Sequence, residues 1–118
     1  MSTHLYDSLG IGNAIVDILA RCEDDFLLSR GLHKGSMQLI DEAGAHALYQ
    51  AMGPTTMISG GSAANTIVGI SSFGGKSAFI GKVRDDAHGQ AFAHDIRAAG
   101  VTFTTPKATE GRATAQCL

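Results

Sequence analysis

Glycine recurs where one patterned run of residues gives way to the next, and that punctuation constrains the fold more than any other feature of the chain. The fifteen glycines among 118 residues exceed the average of about 7%, yet they form no low-complexity tract. The runs they separate alternate in kind. Residues 5–19 are apolar and pass through Gly10 and Gly12, which suggests a buried strand that kinks and continues as a second, more exposed strand. Asp24 and Asp25 then precede Phe26-Leu27-Leu28, and Gly31 follows Arg30, the pattern of a short capped helix. Residues 36–40 alternate weakly and fit a strand, after which Asp41 can cap a helix through Ala45, Leu48 and Met52 to a stop at Gly53-Pro54. A short strand is expected at 56–58. Gly60-Gly61-Ser62 leads into a helix over 63–73, with Ile67 and Ile70 on one face and Gly74-Gly75 closing it. Ala78-Phe79-Ile80 reads as another strand, and a helix over about 89–99, following Asp85-Asp86, places Phe92 and Ile96 four apart and ends at Gly100. Residues 101–105 and 114–118 read as two strands around a turn at 106–111.

Strands alternating with helices of about ten residues imply βαβ units and a mainly parallel sheet with helices on its faces, so the fold class is α/β. The length suits one soluble domain with a real core. Nine basic against eleven acidic residues give a net charge of -2. A nucleic-acid or anionic-membrane binder usually carries a basic excess, so neither partner is expected. The apolar runs are short, and the start Met1-Ser2-Thr3-His4 resembles no presequence; the expected location is the cytoplasm. Cys22 and Cys117 are far apart and outside any CxxC pattern, which indicates neither a disulfide framework nor a zinc site, and both read as buried or half-buried thiols. The chain stops inside strand-like sequence at Ala115-Gln116-Cys117-Leu118, as expected of a truncated protein.

Several familiar motifs fail on inspection. Gly75-Lys76-Ser77 suggests a P-loop, but the glycine needed five residues earlier is Ile70, and the run leaves a helix for a strand instead of the reverse. Gly10-Ile11-Gly12 opens like a dinucleotide fingerprint, but Ile15 stands where its third glycine belongs. Ser62 lies in no GxSxG elbow. Of the five histidines, His88 and His94 fall about 240° apart around a helix, and His4, His33 and His46 are isolated. Surface histidine is the expected role, with no metal site.

Two segments remain, both at turns where an open α/β sheet binds ligands. In Gly12-Asn13-Ala14-Ile15-Val16-Asp17, the aspartate falls within an apolar run and needs hydrogen-bond partners or water. Its two oxygens suit two neighbouring hydroxyls, as on a sugar. The spacing equally fits an exposed Asp on an edge strand. In Ser59-Gly60-Gly61-Ser62-Ala63-Ala64-Asn65, paired glycines allow close backbone approach, and the following helix offers unsatisfied N–H groups with Asn65 beside them. An ordinary turn with a helix cap is the alternative.

Together, Gly12-Asn13-(x3)-Asp17, Gly60-Gly61-Ser62-Ala63-Ala64-Asn65 and Gly81-(x4)-Asp86-(x2)-Gly89 resemble the amino-terminal part of the ribokinase/PfkB family of carbohydrate and nucleoside kinases. Gly12-Asn13-Ala14-Ile15-Val16-Asp17-Ile18 and Met37-Gln38-Leu39-Ile40 are most similar to adenosine-kinase-like members. The resemblance implies a ribokinase-like fold with a small β-sheet lid, its strands at about 14–21, 36–40, 101–105 and 112–118, and the α/β core in the remainder. By position, Asp17, Gly60, Gly61 and Asn65 would bind sugar or ribose hydroxyls with Asn13 nearby, while Asp86 and Gly89 would shape a turn and helix start. Met37 and Leu39, on one face of their strand, would be apolar walls for a base, or would pack inside the lid.

The family's GAGD-type motif, carrying the catalytic Asp and an anion hole, does not occur in these residues, so no catalytic residue is assigned here. ATP and Mg belong to the parent enzyme, with a site mostly outside this chain. Arg84 and Lys82 have the reach for a phosphate but fit solvated surface charge as well. The resemblance thus implies the substrate-binding part of an ATP-dependent kinase acting on a primary hydroxyl of a sugar or nucleoside, adenosine first among them, the chain being inactive alone. The alternative is a non-catalytic binding or oligomerisation module. A homodimer through lid strands fits either.

Overall fold

In the computed structural model, which describes residues 3–118, the chain begins with the two strands expected around the Gly10 and Gly12 kink: β1 (Ser8–Ile11) and β2 (Ile15–Ala20). Met1 and Ser2, at the start of the segment read as carrying no presequence, lie outside the described residues. Then follow α1 (Asp24–Ser29), α2 (Glu42–Ala51), β3 (Thr55–Gly60), α3 (Ser62–Ser72), β4 (Ser77–Ile80), α4 (Ala87–Ala98) and β5 (Ala115–Cys117). The chain divides into two compact units, residues 1–17 with 57–117, and residues 18–56 with Leu118.

In the first unit β1 and β4 pair in parallel from Ser8↔Ser77 to Ile11↔Ile80. On the other edge of β4, the Phe79 amide donates to Thr102 O and the Thr102 amide to Ser77 O, each at 3.0 Å. The run from β4 through α4 to Thr102 is therefore a βαβ unit, and α3 packs on β1 and β4. The aromatic side chains of Phe79, Phe92 and Phe103, all fully buried, meet between helix and sheet with ring centroids 5.4 to 6.1 Å apart. Ile67 and Ile96 close the same core from α3 and α4. A second sheet has the order β3-β2-β5, with β2 and β5 parallel from Ile15↔Ala115 to Asp17↔Cys117.

Capping explains where the longer helices start. Asp86 accepts from the Gly89 amide at 2.7 Å at the head of α4, and in the second unit Asp41 accepts from the Gly44 amide at 2.7 Å at the head of α2. The short α1 differs from expectation, because Glu23 occupies its N-cap position and makes no side-chain bond to it.

Three strand expectations need correction. Residues 36–40 form no strand; lacking a ladder partner, they stay irregular, and weak alternation alone does not hold an extended segment in a sheet. Residues 101–105, expected in a lid, contribute Thr102 to the β1-β4 sheet instead. They also do not pair with 114–118 around the 106–111 turn. Lys82 Nζ donates to Pro106 O at 2.6 Å, Arg84 to Gly111 O at 2.7 Å, and the Ala108 amide to Val83 O at 2.8 Å, so the connection leaving β4 captures that turn and sends β5 to β2. The cysteines, expected buried or half-buried, are both exposed.

Candidate functional site

The end of β3, the start of α3 and the first half of β2 converge within the first unit. Gly60 is buried at the last position of β3, so close to Asp17 that a Cβ built on it would overlap the aspartate carboxyl group. No ordinary contact between carbon and carboxylate is that short, so only glycine lets the carboxylate lie across the strand end. Gly61 follows with φ +96°, and a Cβ there would stand 2.6 Å from the Asn13 carbonyl oxygen. Both the backbone angle and the contact exclude a side chain.

These two glycines also shape the head of α3. Gly61 is the N-cap residue and has no side chain with which to cap, so the first-turn amides of Ser62, Ala63 and Ala64 receive no side-chain bond from it. The Asn65 amide closes the first helical bond to Gly61 O at 2.8 Å, and its carboxamide is exposed. Asp17 is half-buried and its carboxylate has no hydrogen bond or ion pair among the described residues. A half-buried carboxylate without a donor calls for hydroxyls or water. The Asp17 carboxylate is thus a charged acceptor beside a strand end that carries no side chain, and the Asn65 carboxamide, which can both donate and accept, is exposed in the adjoining helix.

The predicted residues Asp17, Gly60 and Gly61 come together directly, with the Asn13 backbone against Gly61. Asn65 stands one turn into the adjoining helix. Asn13 also lines an open cleft of about 640 Å³ at the carboxyl ends of β1 and β4, with Lys82, Arg84 and Arg112 among its other lining residues. Met37 and Leu39 belong to the second unit, in its irregular segment, where they are 80% and 87% exposed.

Two residues that the sequence reading passed over hold this region in place. Thr114 donates its amide to Asp86 at 2.9 Å and its hydroxyl at 2.7 Å, which fixes the residue preceding β5 to the cap of α4. Partial burial pushes the Asp86 carboxyl up, but the Thr114 amide and hydroxyl, the Gly89 amide and the charge of His88 together hold it below the ordinary carboxylate value. Asp95 of α4 accepts from the Ser59 amide at 2.6 Å, one residue before Gly60. No short-range signal marks either residue, since their partners lie 28 and 36 positions away.

Lys82 and Arg84 are committed to the carbonyls of Pro106 and Gly111, and among the described residues no three His, Cys, Asp or Glu side chains gather to hold a metal ion. No helix among the described residues is long and apolar enough to cross a membrane.

A model of the pfkB family of carbohydrate kinases matches residues 39–118. The chain belongs to this family. Among solved structures, the adenosine kinase of Sinorhizobium meliloti is 53% identical with a TM-score of 0.83, and a probable sugar kinase of Rhizobium etli CFN 42 is 47% identical with a TM-score of 0.83. Each match covers 94% of this chain and 34% of the other. An adenosine kinase of Schistosoma mansoni in complex with adenosine shares the fold at 23% identity and a TM-score of 0.77. Comparison with the curated proteins finds no match. This PfkB-family chain therefore spans about a third of the length of the solved kinases it matches, and its α/β fold is that of the amino-terminal part of ribokinase-like kinases, adenosine kinases among them.

Proposed function

We propose that this PfkB-family chain is the substrate-holding part of an ATP-dependent kinase that phosphorylates a primary hydroxyl of a sugar or nucleoside, with adenosine the leading substrate. The observation that carries this reading is the Asp17 carboxylate lying against Gly60 with no donor of its own among the described residues. Two adjacent hydroxyls donate to its two oxygens, and the Asn65 carboxamide bonds to a third oxygen of the ligand. The amides at the head of α3 present positive charge to the same oxygens.

Phosphoryl transfer depends on holding the attacking hydroxyl in line and on stabilising charge on the transferred group. The residues of this site meet the first requirement, because a diol fixed by Asp17 sets where the sugar's remaining hydroxyl points. ATP supplies the phosphoryl group, and we assign ATP and Mg to a site mostly outside this chain. The 53% identity to an adenosine kinase favours a nucleoside over a free sugar.

Calorimetric titration of the purified chain with adenosine, ribose and fructose tests the reading. Saturable heat with adenosine, lost in Asp17→Ala, is the expected result. Heat that persists unchanged in Asp17→Ala, or a folded chain silent with all three ligands, contradicts it.

A further inference from the structure

Asp95 stands where a helix does not favour a carboxylate. It is half-buried near the carboxyl end of α4, with the fully buried Phe92 three residues before it and the fully buried Ile96 directly after it. The negative end of the helix dipole opposes a charge of the same sign, and aspartate is a poor helix former, so neither propensity nor local electrostatics accounts for this residue. Its side chain makes one hydrogen bond among the described residues, accepting from the Ser59 amide at 2.6 Å across 36 positions of sequence. A residue that breaks a local rule and is compensated by a single distant bond marks that bond as the thing to explain.

Ser59 is followed by Gly60 and Gly61, and glycine backbone has no strongly preferred path, so neighbours must hold it. The Asn13 carbonyl abuts Gly61 on one side of this turn, and Asp95 fixes Ser59 on the other. Asp17 has no hydrogen bond or ion pair of its own among the described residues, so the Gly60 backbone beside its carboxyl group limits where its two oxygens lie. We infer that Asp95 is a positioning residue for Asp17. Through Ser59 and Gly60 it holds the strand end where the Asp17 carboxylate accepts from two neighbouring hydroxyls, and it touches no ligand itself. A helix whose side chains fill the core is a firmer support than a glycine turn, and Asp95 lends the turn that support. What Asp17 binds rests on the substrate reading above, whereas the link from Asp95 to Asp17 belongs to the fold alone.

Two readouts on the 118-residue chain test this: calorimetry with adenosine and 2′-deoxyadenosine, and the NMR signal of the Asp17 carboxyl carbon. Asp95→Ala is expected to weaken adenosine at least about tenfold and 2′-deoxyadenosine less than about threefold, and to move the Asp17 signal. Asp95→Asn keeps an oxygen for the Ser59 amide, so it stays within about threefold of wild type for both ligands. Asp7→Ala removes a comparable bond, from the Lys76 amide at 2.8 Å just before β1, and as a merely structural change it leaves both affinities and the Asp17 signal in place. Should Asp95→Ala fail to fold, Asp95→Glu, which displaces the acceptor by one methylene, is expected to show the same loss. Where wild type prefers adenosine, a folded Asp95→Ala or Asp95→Glu chain that keeps that preference overturns the inference, as does an Asp95→Asn chain as impaired as Asp95→Ala. A wild-type chain that binds neither ligand, or both equally, counts against the substrate reading, and the Asp17 signal then decides. Movement in Asp95→Ala but not in Asp95→Asn or Asp7→Ala upholds the role of Asp95, and any other pattern overturns it.

Discussion

A single missing carbon atom decides whether Asp17 can serve as an acceptor. Because a Cβ on Gly60 would overlap the Asp17 carboxyl group, Gly60→Ala forces the aspartate or the strand end to move. Overpacking of this kind costs roughly 1–3 kcal/mol in a well-packed site. The expected outcome is a lowered Tm together with at least about a tenfold loss of adenosine affinity, measured by thermal melts and calorimetry on the same sample. Wild-type affinity in a folded Gly60→Ala chain would show that Asp17 does not need the glycine. The residue types at this site were legible in the sequence, since paired glycines before a helix and an aspartate in an apolar run are both unusual. Their meeting was not, because Asp17 and Gly60 are brought together by β2-β3 pairing and no local pattern encodes that register. Met37 and Leu39 illustrate the converse: their alternation resembles a strand face, but without a neighbouring strand the segment remains irregular and both side chains are exposed.

Between elements, the cluster of Asp86, Thr114 and Gly89 joins the head of α4 to the residue before β5. Asp86→Asn keeps an acceptor for the Gly89 amide but turns a donor toward the Thr114 amide, so it is expected to destabilise the chain by about 1–3 kcal/mol near neutral pH. The pH dependence has a definite sign. The folded-state pKa of Asp86 lies below the ordinary 3.8, so its contribution is complete above that value and is lost as pH falls through the folded pKa. The stability gap between wild type and Asp86→Asn, followed by urea unfolding, therefore narrows below about pH 4. A gap that stays constant down to about pH 2 would mean that the carboxylate's charge is not what holds Thr114. Helices were readable because Asp41, Asp86 and the closing glycines are local signals. The destination of residues 101–118 was not, since it depends on Lys82, Arg84 and Val83 capturing the 106–111 turn across more than twenty positions.

Over the molecule, the α/β class was legible from alternation alone, whereas the division of strands between two sheets emerged only from the three-dimensional pairing. The aromatic cluster of Phe79, Phe92 and Phe103 ties the βαβ unit that carries the first sheet. Phe92→Ala is expected to cost about 3–5 kcal/mol, read as a shift of the urea midpoint, while a shift below about 1 kcal/mol would place the core elsewhere. Family membership adds what spacing could not, namely the kind of ligand to offer the site. Titration with adenosine and 2′-deoxyadenosine side by side tests the proposal that Asp17 holds a vicinal diol. Hydrogen bonds to a charged group contribute about 1.5–3 kcal/mol, so adenosine should bind roughly 10- to 150-fold more tightly, with the difference collapsing in Asp17→Asn. Equal affinity for the two ligands in the wild-type chain would mean that Asp17 does not hold the diol.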